Sequence, residues 1–170
     1  HAVNGVLRAV LLLALCTGAG AGAGAEALVE VPAAWAGRVA PIPQQRLAEL
    51  PTASADRIRE TRDALNGLLA SPDTAATEIA AVYGRLGGLY AAYRLYAGAV
   101  LALGNARALD PRGFQWFYYS AHVALEQGEA AEGLGYLDAA AQLDAGHPVL
   151  PLRRGEALLG LNRLAEARAA

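Results

Sequence analysis

Gly87, Ala121 and Gly155 stand 34 residues apart, and three further triplets keep that spacing: Tyr83, Phe117 and Pro151; Ala99, Gly133 and Ala167; Tyr90, Ala124 and Leu158. A period of this length marks stacked supersecondary units, and it restricts the fold more than any other feature of the chain. Small residues return where two helices must approach closely, and larger ones mostly return beside them. From Ser54 to Ala170 no run of β-branched residues alternates with period two, so nothing there reads as a strand. The expected fold class is all-α.

The sequence upstream divides into three. A helix is expected from about Ala55 to Ala70, capped by Ser54 or Thr52, with Ile58, Leu65, Leu68 and Leu69 near one face. Ser71-Pro72-Asp73 ends it, and Thr74 is expected to cap the next helix; the unit spans 54–73. Residues 26–53 carry Pro32, Pro41, Pro43 and Pro51, which remove backbone donors and restrict their predecessors. They read as an extended linker or strap, with Trp35 packed against the first helix.

Residues 1–25 read as an export signal. Arg8 is the only charge before Glu26, Ala9 to Leu15 form a short apolar run, and Ala23-Gly24-Ala25 offers a small-residue cleavage pattern. That run falls short of the ~20 residues that span a bilayer. Leu13-Ala14-Leu15-Cys16 resembles a bacterial lipobox, although Leu15 stands where a small residue belongs. Contact with a membrane is therefore expected only through this segment, uncleaved or lipidated at Cys16. The expected location is the bacterial periplasm.

Within the first 34-residue copy, Ala80 to Gly113, Tyr83, Leu86, Gly87 and Tyr90 set an aromatic, leucine, small, aromatic pattern. Ala99, Leu103 and Ala106 follow, and Asp110-Pro111 closes the unit. This pattern resembles the tetratricopeptide repeat. The second copy, Phe114 to His147, keeps Phe117, Ala121, Gly128, Gly133, Leu137 and Ala140, but Asp144-Ala145 lacks the closing proline and Pro148 comes three residues late. The third, 148–170, keeps Gly155, Leu158 and Ala167 and stops inside its second helix, so the natural chain is expected to continue. The resemblance covers 80–170, within a repeat region of 74–170. It implies a right-handed α-solenoid of helix pairs, with the helix at 54–73 as a cap and an open last face through which copies of the chain can self-associate.

The resemblance also implies a concave groove that takes a peptide or protein partner. In the shared register its slots are Ala81, Gly84, Gly88, Ala91 and Ala92; then Gln115, Tyr118, His122, Leu125 and Glu126; then Val149, Leu152, Glu156, Leu159 and Gly160. Gly84 and Gly88 would give a bare floor for a partner backbone. Gln115, Tyr118, His122 and Glu126 supply an aromatic and hydrogen-bonding groups at i, i+3, i+4 spacing. The basic side chains with which the family clamps a C-terminal carboxylate are missing from these slots. Trp116, one residue off the groove, is expected against Pro111 or the preceding helix.

Other function classes find little support. With 14 basic and 16 acidic residues the net charge is −2, which excludes a nucleic-acid binder working by bulk electrostatics. All the basic residues are Arg, which reads as coding bias. Cys16 is the only cysteine, so no internal disulfide, thiolate zinc site or c-type haem attachment is available. His122 and Glu126 lie one turn apart, but two ligands are too few for a metal. No metalloprotease, phosphate-loop or serine-nucleophile motif occurs. The chain therefore reads as a non-catalytic scaffold without cofactor or metal. The alternative is the accessory repeat region of a larger exported enzyme or redox protein truncated after residue 170.

Overall fold

The computed structural model describes Val29 and residues 31–169; the export segment and Cys16 lie outside the described residues. Among these, seven α-helices follow one another: α1 (Thr52–Ala70), α2 (Ala76–Ala92), α3 (Tyr96–Leu109), α4 (Phe114–Glu126), α5 (Ala130–Leu143), α6 (Leu150–Gly160) and α7 (Leu164–Ala167). Each packs mainly on its neighbours in the chain, α2 on α3 and α4 on α5 most closely. The fold is all-α, as the sequence implies.

The 34-residue spacing reappears in the backbone. Helices α3, α5 and α7 begin at Tyr96, Ala130 and Leu164. Each follows a turn residue with positive φ: Arg94 at 58°, Gly128 at 81° and Asn162 at 58°. In each turn the next amide reaches back five residues, Leu95 to Tyr90, Glu129 to Ala124 and Arg163 to Leu158, at 2.8–2.9 Å. This long return bond satisfies a helix-end carbonyl that the helix itself leaves unpaired. Tight pairing of α2 with α3 needs Gly87, because a β-carbon there would meet Leu103 Cγ at 2.7 Å.

The expected caps are corrected. Helix α1 starts at Thr52 behind Pro51, and no side chain caps it. Ser54 Oγ instead accepts a 2.7 Å hydrogen bond from the Tyr93 hydroxyl of α2's end. Thr74 does not cap α2, whose N-cap is Ala75; its hydroxyl donates backward to the Leu68 carbonyl at 3.0 Å and so serves the end of α1.

Of the two forms expected of the Pro-rich segment, the structure shows a strap. Val29, Trp35, Val39, Ile42 and Leu47 are buried in one cluster with apolar side chains of α1, α2 and α3. Val29 bridges Ile42 in antiparallel fashion, and Arg38 lies 4.6 Å over the Trp35 ring. The strap is held by the buried Asn105 of α3. Its Oδ1 accepts the Ala40 N–H at 2.7 Å and its Nδ2 donates to the Ala40 carbonyl at 2.8 Å. One side-chain amide thus replaces the strand partner that Ala40 would otherwise need. A second, smaller cluster joins Ala121 of α4, Leu134, Leu137 and Ala140 of α5, and Leu150, Ala157 and Leu158 of α6.

Tyr83 lies fully buried in the first cluster, and burial pushes its phenol up to about 12, the Asn105 amide pulling weakly the other way. An exposed phenol in the unfolded chain ionises near 10. The unfolded chain therefore loses this proton first as pH rises, and the folded chain holds it longer. Stability from Tyr83 is fully present below pH 10 and is lost between about 10 and 12, on the order of 2–3 kcal/mol in all. Urea unfolding from pH 8 to 11.5 should show this decline, and Tyr83→Phe should remove its share. An unchanged slope in the Phe variant would overturn the assignment.

Candidate functional site

Helix α4 carries the second copy's slots because their spacing follows the helical turn, placing His122, Leu125 and Glu126 on one side. Helix α6 brings Glu156 opposite them. The two helices, with the α4–α5 turn, enclose a cleft of about 350 Å³ lined by His122, Leu125, Glu126, Gly128, Ala130, Arg153, Glu156 and Gly160. Five of the expected groove slots, His122, Leu125, Glu126, Glu156 and Gly160, therefore meet in one place. Leu125 is half-buried and closes the floor towards α5, where a β-carbon on Gly133 would meet it at 2.9 Å. Glu126 and Glu156 stand exposed on the rim.

Arg153 was not among the expected slots. It sits three residues before Glu156 and pairs with it at 2.7 Å. Glu156 first, and then the Tyr118 hydroxyl, hold the guanidinium more firmly protonated, with partial burial opposing them. Arg153 is thus a cation at the cleft wall whose charge a neighbour already balances, while Glu126 on the rim forms no ion pair among the described residues. Arg154 turns the other way and pairs with Asp138 of α5.

Tyr118 stays outside the cleft lining. Its ring is half-buried, lies parallel to Phe114 with centroids 6.2 Å apart, and tilts against Tyr119 at 5.7 Å. His147 stacks on the other side of this group, 4.2 Å from the Phe114 centroid, so the late closing turn is pinned by an aromatic pair. Gln115 is exposed and also lies outside the cleft.

The floor expected at Gly84 is corrected. Gly84 is buried, and a β-carbon there would fall inside the Trp116 ring. Trp116 of α4 seats its indole on α2, while its Nε1 donates to Asp110 Oδ2 at 3.0 Å. A glycine here makes room for an indole from α4, not for a partner. Gly88 has no neighbour within 4 Å of a β-carbon position and is half-buried, but it lies away from the cleft.

Among the described residues no group of three or more His, Cys, Asp or Glu side chains converges on one point. Among the same residues no helix is long and apolar enough to cross a membrane. What the cleft offers is a pocket with one apolar side, an imidazole, a balanced cation and an exposed carboxylate. No family model, curated protein or solved structure matches this chain.

Proposed function

We propose that the chain is an exported, non-catalytic binding scaffold of tetratricopeptide type, whose α4–α6 cleft holds a peptide or protein partner. The observation that carries this reading is the convergence of His122, Leu125, Glu126 and Glu156, chosen by sequence register alone, on one cleft. The recurrence of the positive-φ turns at 94, 128 and 162 supports the repeat type, since stacked units of one length repeat their turns as well as their packing. Apolar floor and polar rim together match the usual make-up of a protein–protein contact.

The test replaces side chains that leave the packing alone. His122→Ala with Glu126→Arg should cut partner capture from a periplasmic extract by roughly 30-fold, the effect of losing a contact worth about 2 kcal/mol. Melting and helicity should stay unchanged, and Gln115→Ala, outside the cleft, should bind normally. Undiminished capture by the double variant would sink the reading.

A further inference from the structure

Helix α4 has a second working face. Ser120, Val123, Ala124 and Gln127 point away from the His122 side, by about half a turn at 100° per residue. With Val100, Leu103 and Arg107 of α3 and Glu132 and Tyr136 of α5, they enclose a cavity of about 280 Å³. That is at the small end of the ~300–1,000 Å³ range of small-molecule sites.

Its walls and its polar groups behave differently under the 34-residue register. The apolar wall recurs: Val100 answers to Leu134 and Leu103 to Leu137. The polar groups do not. Arg107 answers to Ala141, while Glu129, Glu132 and Tyr136 answer to Leu95, Gly98 and Ala102. Packing of one unit on the next is thus achieved elsewhere in this chain without these charges.

The charges are also kept apart. The Arg107 guanidinium lies over the Tyr136 ring, 4.2 Å from its centroid, and 5.8 Å from that of Phe117. The Tyr136 hydroxyl donates to Glu132 Oε1 at 2.6 Å. One aromatic ring therefore carries a cation on its face and a carboxylate at its tip, and Arg107 forms no ion pair among the described residues. Glu129, at the α5 N-cap, adds a second, exposed carboxylate at the rim. Opposite charges held apart above an apolar floor complement a ligand that carries both charges next to an aliphatic group.

We propose that this cavity binds a free aliphatic α-amino acid. Arg107 takes its carboxylate, Glu129 and Glu132 take its ammonium, and Val100, Leu103 and Val123 receive its side chain. The site is independent of the cleft on the opposite face of α4.

The test is calorimetric titration of the purified chain with L-leucine and L-valine, and with two blocked probes: leucinamide, which lacks the carboxylate, and N-acetylleucine, which lacks the ammonium. Leucine or valine should bind saturably, and each blocked probe should bind at least about tenfold more weakly, as expected for losing a charge-assisted hydrogen bond. Arg107→Gln should weaken leucine binding by a similar factor and leave leucinamide unaffected. Should Arg107→Gln loosen the α3–α5 contact, Glu129→Gln at an exposed position carries the same test and should weaken leucine while sparing N-acetylleucine. Absence of saturable binding by both amino acids, or equal binding of the free and blocked forms, would overturn the proposal.

Discussion

Replacing Gly84 by alanine is expected to cost about 3 kcal/mol, at the upper end of what overpacking a filled core usually does. The added methyl has nowhere to go, because it falls inside the Trp116 ring. The ring cannot retreat easily. Its nitrogen is tied to Asp110, and its far edge lies against Gly113, where a β-carbon would collide with the indole as well. Trp116→Ala alone should cost about 3–5 kcal/mol through lost burial and a cavity. The double variant is the discriminating measurement. Once the indole is gone the Gly84 methyl fits, so the two losses should fall short of additivity by about 1–3 kcal/mol. Additive losses in equilibrium unfolding would mean that the indole does not occupy the Gly84 position.

Asn105→Ala should destabilise the chain by about 1–3 kcal/mol and release the strap, since both backbone groups of the half-buried Ala40 lose their partner. Asn105→Asp keeps the acceptor for the Ala40 N–H but loses the donor to its carbonyl, and it sets a carboxylate among buried side chains, so it should not rescue. Released strap exposes Trp35, which is buried in the intact structure. In a Trp116→Phe background, the emission of Trp35 should therefore shift to the red in the Asn105 variants well before global unfolding. A strap that stays buried with stability within about 0.5 kcal/mol of the parent would count against the role given to Asn105.

The helical class and the period were legible because close helix approach demands small side chains, and Gly87, Ala121 and Gly155 are visible as such. The turns were legible in one instance of three. Gly128 announces positive φ by its identity, whereas Arg94 and Asn162 take the same conformation because the turn's return hydrogen bond holds them there. The caps misled because a hydroxyl near a helix boundary can serve either neighbour, and Thr74 serves α1, behind it.

At the cleft, His122, Leu125 and Glu126 follow from helical spacing, and Glu156 from the period. Arg153 did not follow, because the repeat register fills the slot of that turn with Leu152, although Arg153 lies three residues before Glu156 on the same face of α6 and pairs with it there. Gly84 misled for a related reason. A glycine in a sequence signals space without saying what fills it, and here the filler comes from 32 residues further along.

The division of the apolar interior into two clusters bears on how the chain comes apart. The larger cluster ties the strap, α1, α2 and α3 to Trp116 and Val123, while the smaller one alone joins α4 and α5 to α6. Leu152 and Leu159 of α6 remain 67 % and 58 % exposed, so that helix contributes little further burial. In a chain whose units touch only their neighbours, opening begins where the fewest side chains must be wetted: α7, which buries no residue, comes away first, and the α5–α6 joint follows. The cleft spans this joint. A molecule gripped by both α4 and α6 would therefore act as a clasp on the weaker half of the chain, and the free energy of opening α6 and the affinity for the partner would be two readings of a single linked equilibrium.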